Sequence, residues 1–266
     1  AYDKGKKGDY YGAISDYTKA IKINPQYSQA FNDRARAKAK LKNYKGAFSD
    51  YEKSIKIEPN SHFVYYDRAL TKLDLKDFKG ALSDINKAIA IKPRNAQLLY
   101  RRGFIKFELE NDKGAISDFT EVISINPNSA RAFNARGLVK AFLKDDKGAK
   151  SDYRKALKID PNFYQAYISL AKLKISSKRY KSAISDLTKA ININPKDFST
   201  YLLRGKVKKE IGDIKGTCSD YDQYIDQYPN SIDKTLIENN FTGTFLLMMK
   251  LNALGPELDF YRENCL

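Results

Sequence analysis

Apolar and small residues return along this chain in alternating stripes of helical period. Phe31, Ala35 and Leu41 mark a first helix of about three to four turns. Ala47, Tyr51, Ser54 and Ile55 follow at i, i+4, i+7 and i+8, one face of a second helix. Pro59 then ends the pattern, because proline lacks an amide donor and disfavours helical geometry in the residue before it. Ser61, Asn95 and Ser129 stand shortly after a proline, where each is expected to cap the next first helix.

The two-helix pattern recurs every 34 residues. Pro25, Pro59, Pro93, Pro127, Pro161, Pro195 and Pro229 share this spacing, and so do Gly12, Gly46, Gly80, Gly114, Gly148 and Gly216, with Ser182 in the missing place. A Ser-Asp pair closes on Asp16, Asp50, Asp84, Asp118, Asp152, Asp186 and Asp220. Several columns in one register indicate an internal repeat of helical hairpins. A single hairpin cannot cover its own apolar face, so neighbours must stack, giving a body on the order of 70 Å long. Small residues at Ala35, Ala69, Gly103, Gly137, Ala171 and Gly205 let the helices approach closely.

Phe133, Gly137, Ala149, Tyr153, Ala156 and Pro161 make up one such unit, and in this form it resembles the tetratricopeptide repeat family. The resemblance spans roughly residues 1 to 230. The Arg136-Gly137 step with Lys140, and Arg204-Gly205 with Lys208, are similar to bacterial members, cyanobacterial ones especially. It implies an all-α, right-handed superhelical solenoid of about seven helix-turn-helix units. Residues 231–266 would then supply a C-terminal capping helix and a short tail. Three departures are visible. Ala1 already falls in the middle of a first helix, Asp112 and Asp146 replace the aromatic of Tyr10, Tyr44, Phe78 and Tyr180, and the seventh unit carries Thr217, Tyr224 and Gln227 in place of Ala, Ala and Ile.

The composition narrows the chemistry. A net charge of +16 would suit a disordered chain, but 42% hydrophobic residues supply a core. Two cysteines, Cys218 and Cys265, make neither a disulfide framework nor a four-ligand zinc site, and are read as reduced thiols. His62 is the single histidine, so lone carboxylates such as Asp197 and Glu210 have no partner for acid–base or nucleophilic work. A non-enzymatic protein with no metal and no cofactor is expected. The longest apolar run, Phe245 to Met249, falls far short of the ~20 residues of a spanning helix. No signal peptide is visible, although the chain begins at Ala1 without a methionine. A cytoplasmic location is expected.

Charged columns have a structural reading and a functional one. Aspartate costs on the order of 0.5 kcal/mol in a helix interior, so seven repetitions need a partner. An arginine–aspartate ladder is expected, Arg34 with Asp50 and so on through Arg68, Arg102, Arg136 and Arg204, with Leu170 as its gap. Lys4, Lys38, Lys72, Lys106, Lys140, Lys174 and Lys208 run alongside. Lys45, Lys79, Lys113, Lys147, Lys181 and Lys215 open the second helices, the convex side in this family, and are read as a solvated face. A basic adaptor for nucleic acid or anionic surfaces is the alternative. No recognised nucleic-acid fold, aromatic stacking platform or Arg-rich tract supports it.

The resemblance places ligands on the concave groove lined by first helices. There the early units are polar, with Gln29, Asn32, Asp33, Arg36 and Lys40. The centre is apolar: Tyr66, Leu70, Tyr100, Phe104, Phe107, Leu138 and Phe142, edged by Arg101, Arg131 and Asn134. Late units turn to Lys172, Lys206 and Lys209. Core columns are already filled by Phe31, Tyr65, Leu99, Phe133, Tyr167 and Tyr201, so the second stripe is read as a site for a peptide or helix of a partner protein, against inter-repeat packing. A chaperone C-terminal tail is disfavoured, because the clamp asparagine is replaced by Asp33, Asp67, Arg101, Ala135, Ser169 and Leu203. The apolar stretch at 241–254 would cap the last repeat, form a homodimer interface or fold into a groove. The function expected is a protein–protein interaction scaffold, with an interaction domain of a larger enzyme as a further alternative.

Overall fold

The structure is a computed structural model, which describes residues 8–226 and 254–265. The described residues form α-helices joined by short turns, with one 3-10 turn, Gly255–Glu257. In chain order they are α1 (Tyr10–Ile23), α2 (Ser28–Lys40), α3 (Tyr44–Ile57), α4 (His62–Asp74), α5 (Phe78–Ile91), α6 (Ala96–Glu108), α7 (Asp112–Ile125), α8 (Ala130–Phe142), α9 (Asp146–Ile159), α10 (Tyr164–Ser176), α11 (Tyr180–Ile193), α12 (Phe198–Glu210), α13 (Ile214–Ile225) and α14 (Leu258–Asn264). Two compact units divide the chain, Ala1–Ala132 and Phe133–Leu266. Within each, consecutive helices pack as hairpins, in the order that the 34-residue period predicts.

The turn inside each hairpin follows one recipe. Lys42 takes φ 60°, Asn43 N–H donates to Lys38 O at 2.9 Å, and Lys42 N–H donates to Ala39 O at 2.9 Å. This pair of bonds satisfies two carbonyls that the end of α2 would otherwise leave bare. Asn43 then caps the following helix, its Oδ1 accepting from Gly46 N–H at 3.0 Å. The same left-handed position is filled by Lys76, Glu110, Lys144 and Lys178, and by glycine at Gly212. Asp77, Asn111, Asp145 and Asp213 repeat the cap. Capping of the first helices is less regular than the sequence suggests. Asn95 accepts from Gln97 N–H and Leu98 N–H, and Ser129 Oγ from Ala132 N–H, but Ser61 makes no side-chain cap. Asp112 and Asp146, the departures from the aromatic column, open α7 and α9, where a negative charge suits the helix dipole.

The core of each hairpin is set by one small residue and the side chain that lies on it. An added Cβ at Gly103 would meet Phe119 Cε1 at 2.7 Å, and one at Gly137 would meet Tyr153 Cε1 at 2.6 Å. Alanine holds the small position over the aliphatic Ile85 and Leu187, at Ala69 and Ala171, and also in the second repeat, where Ala35 faces Tyr51; all six are fully buried. Burying a side chain such as Ile85 stabilises the fold by roughly 1.5–3 kcal/mol.

In the second unit Leu254–Cys265 folds against α12 and α13. Tyr221, Ile225, Leu254 and Tyr261 form a buried cluster there, with Leu202 and Phe260 at its edge. Cys218 and Cys265 are joined by a disulfide, with their Cα atoms 5.3 Å apart, so they are not the free thiols expected. The 47-residue separation hides this pairing, because only the folding-back of the tail brings the two together. The apolar stretch at 241–253, with its capping and homodimer readings, lies outside the described residues.

Candidate functional site

The charged columns prove to be part of the scaffold. Arg34 donates through Nε to Asp50 Oδ2 at 2.8 Å and through Nη2 to Asp50 Oδ1 at 2.8 Å. Arg68–Asp84, Arg102–Asp118, Arg136–Asp152 and Arg204–Asp220 repeat the fork. Lys38 Nζ joins Asp50 Oδ2 at 2.7 Å, and Lys72, Lys106, Lys140, Lys174 and Lys208 do the same in their repeats. The third edge of the guanidinium reaches back to the preceding hairpin, from Arg34 Nη1 to Thr18 Oγ1 at 3.0 Å and from Arg204 Nη1 to Thr188 Oγ1 at 3.0 Å. Charge-assisted, two-pronged bonds of this kind fix orientation. In the sixth repeat Leu170 supplies no guanidinium, and Asp186 keeps the Lys174 ammonium alone, at 2.6 Å.

The core aromatics are roofed by cations. Arg34 and Lys53 lie over the Phe31 ring at 5.5 and 5.8 Å, and Arg68 and Lys87 over Tyr65 at 5.8 and 5.6 Å. The ladder and ring-capping cations are therefore engaged in holding the repeats together. Lys45, Lys79, Lys113, Lys147, Lys181 and Lys215 remain exposed at the starts of the second helices.

On the first helices of the first unit, Tyr100 and Phe104 stack edge-on with centroids 5.0 Å apart, and both meet Phe119, at 5.6 and 5.2 Å. Phe119 is the ring that covers Gly103, so the stripe rests on the core while Tyr100 and Phe104 stay half-buried. Burial pushes the Tyr100 phenol up, against the pull of Arg131 and Arg101, which are both exposed beside it. Tyr66 is half-buried on the α4–α5 core and its hydroxyl accepts from Gln97 Nε2 at 2.8 Å. Leu70 is half-buried on the same helix.

The second unit holds the remaining three residues of the stripe. Asn134 is buried, and its Oδ1 has no hydrogen-bond partner. Leu138 is exposed at the edge of a cleft of about 340 Å³ with Tyr153, Ser169 and Lys172, and Phe142 is 63% exposed. Of the late lysines, Lys172 is exposed, but Lys206 and Lys209 are half-buried and engaged. Lys209 Nζ donates to Glu257 Oε2 at 3.0 Å and lies 4.5 Å from the Phe260 ring, while Lys206 is 3.7 Å from Glu257 Oε1. The returning tail occupies that stretch of the face, a contact that only tertiary folding reveals.

Sequence reasoning missed Phe63. It is 58% exposed, stacked on His62 with ring centroids 3.9 Å apart, at the mouth of a first-unit cleft that also takes in Asn32, Arg36, Tyr66 and Asp67. Its place at the start of a first helix, just after a capping position, was the available signal. Among the described residues, no group of three or more His, Cys, Asp or Glu could hold a metal ion, and no helix is long and apolar enough to cross a membrane.

Profiles of the tetratricopeptide repeat match residues 1–62, 64–95, 96–129, 130–163, 164–197 and 199–231. The chain belongs to the tetratricopeptide repeat family. Solved structures agree on the fold. A tetratricopeptide repeat protein from Parabacteroides merdae is similar with a TM-score of 0.72 at 20% identity, over 94% of this chain and 96% of its own. Pseudomonas aeruginosa PilF gives a TM-score of 0.62 at 21% identity, covering 80% and 97%. YrrB, a TPR protein with an unusual peptide-binding site, gives a TM-score of 0.54 at 22% identity, covering 69% and 95%. No relative among curated proteins matches the chain.

Proposed function

We propose that this tetratricopeptide repeat protein is a non-enzymatic scaffold that holds a peptide or helix of a partner protein on the face of its first helices. The observation that carries this reading is the aromatic stripe of Tyr66, Tyr100 and Phe104, half-exposed although the core columns beside it are already filled. Arg101 and Arg131 edge it with exposed donors, and aromatic side chains with arginine are the preferred anchors of protein interfaces. Leu70 extends the surface in the first unit. Asn134, Leu138 and Phe142 offer a stretch of similar character on the second. YrrB, a similar fold with an unusual peptide-binding site, agrees in kind with this assignment.

The basic column at the starts of the second helices is, on this reading, a solvated outer surface rather than a nucleic-acid site. Disulfides persist in oxidising compartments, so the Cys218–Cys265 bond favours such a location over the cytoplasm expected from the sequence.

A photo-crosslinking amino acid placed at Tyr100, and separately at Lys113, tests the assignment. The reading expects a partner polypeptide to be captured from position 100 and not from position 113. Capture from position 113 alone would move the function to the basic face.

A further inference from the structure

The hairpin of α12 and α13 is covered by a segment that is not itself a repeat. Tyr221 stands in the same column as Tyr51 and Tyr153. In those repeats the phenol bonds to a hydroxyl of the following first helix, Tyr51 to Thr71 Oγ1 at 3.1 Å and Tyr153 to Ser169. The Tyr221 hydroxyl donates instead to Glu257 Oε2 at 3.0 Å. The returning segment Leu254–Cys265 thus takes a place that a helix holds elsewhere.

Its contacts combine charge with an apolar floor. Glu257 Oε2 also accepts from Lys209 Nζ at 3.0 Å, and Oε1 lies 3.7 Å from Lys206 Nζ. Phe260 packs its ring 4.5 Å from the Lys209 ammonium, and the Tyr261 hydroxyl donates to Asp222 Oδ1. Leu254 and Tyr261 are buried on Tyr221 and Ile225. Among the described residues, Glu257 is the carboxylate that pairs with Lys206 and Lys209. Without the segment, two ammonium groups and a phenol would stand beside apolar side chains. That face fits a carboxylate followed three positions later by an aromatic ring.

The far end of the segment is held by a bond that can be undone. Cys218 and Cys265 are half-buried and border an open cleft of about 660 Å³ with Lys215, Asp222 and Asn264, so a thiolate has a path to the sulfurs. A dithiol reductant attacks one sulfur, the S–S bond breaks, and the other sulfur leaves as a thiolate and takes a proton. The second thiol of the reductant gives up its proton and closes on the mixed disulfide, leaving two cysteine thiols and an oxidised reductant. The segment then loses the constraint of its cross-link and keeps only its non-covalent contacts.

We propose that Leu254–Cys265 is a disulfide-latched self-ligand, covering a docking face on α12 and α13 that, after reduction by a dithiol, accepts an acidic–aromatic segment of a partner polypeptide. Such control rests on the reading that first helices hold a polypeptide, although the face can be tested without a natural partner.

The probe is a fluorescein-labelled peptide of residues 254–265 carrying Cys265→Ser, titrated by anisotropy against the full chain, oxidised, reduced with dithiothreitol, or carrying Cys265→Ser. The oxidised chain should give no saturable binding, and the other two should bind. Binding should tighten when the chain's own segment carries Glu257→Gln, which weakens the competitor and leaves the face intact. A probe that itself carries Glu257→Gln should bind about tenfold more weakly or worse. The reduced wild type carries the same test if the serine variant folds poorly. Equal binding to oxidised and reduced chains, no binding to the reduced Glu257→Gln chain, or equal binding of the Glu257→Gln probe would overturn the latch. If the probe fails while a partner peptide binds the wild type and is lost in Tyr100→Ala/Phe104→Ala, the latch falls and the first-helix reading stands.

Discussion

Arg102 and Asp118 face each other across a hairpin, with Nε and Nη2 donating to the two carboxylate oxygens at 2.9 and 2.8 Å, while Nη1 turns back to Asn86 at 3.2 Å. One side chain thus ties its own hairpin together and joins it to the preceding one. Asp118 also receives Lys106 at 2.8 Å. Removing the carboxylate in Asp118→Ala strands two largely buried cations. A loss of about 3–5 kcal/mol is expected, read as a lower denaturation midpoint. An unchanged midpoint would mean that the column is freely solvated.

Gly103 and Phe119 make a second closely fitted pair, with no room left at the glycine as Phe119 is placed. Gly103→Ala places a methyl 2.7 Å from the Phe119 ring, so the variant should lose about 1–3 kcal/mol. Adding Phe119→Leu, which imitates the Ala171–Leu187 arrangement, should recover part of that loss. A double-mutant cycle in urea measures the coupling, and strictly additive effects would refute it.

Lys76 has φ 58°, a conformation that costs a side-chain-bearing residue about 1–2 kcal/mol. Gly212 occupies the equivalent turn without that cost. Lys76→Gly should therefore raise the thermal midpoint, the glycine's extra freedom in the unfolded chain offsetting only part of the gain.

The returning tail should respond to both reductant and acid. Cys218 and Cys265 close a loop with a separation of 47 residues, and cross-links of that length stabilise by up to about 4 kcal/mol. Reduction should speed hydrogen exchange at 254–265 while leaving the first unit unchanged. Burial works against ionisation of Glu257, but hydrogen bonds from Lys209 and Tyr221 hold its carboxyl below the ordinary 4.5. A depressed carboxyl contributes stability that is present above its unfolded value and lost as pH falls through the folded one. Protection from exchange at 254–265, taken relative to the intrinsic rate at each pH, should therefore fall on acidification below about pH 4.5 and not between pH 5 and pH 7.

The hairpins were legible because their determinants repeat. Proline, small-residue and Ser-Asp columns each return every 34 residues, and the Arg–Asp ladder follows from placing aspartate in the middle of a helix. The left-handed turn was not legible, because Lys42, Lys76 and Glu110 carry no sign of positive φ and only Gly212 hints at it. The candidate surface was readable as an uneven apolar stripe on the first helices. What escaped the sequence depends on contacts with no periodicity: the bond between Cys218 and Cys265, and the capture of Lys206 and Lys209 by Glu257. Local pattern carries no information on either of these.

The claim that a partner binds the aromatic first-helix face, and not the basic second-helix face, is tested most directly by measuring the affinity of a crosslink-identified partner peptide against salt, for the wild type and for Tyr100→Ala/Phe104→Ala. Apolar anchoring predicts little loss between about 50 and 200 mM salt and abolition by the double substitution. A steep fall in affinity over that range, with the double variant binding as the wild type does, would contradict it.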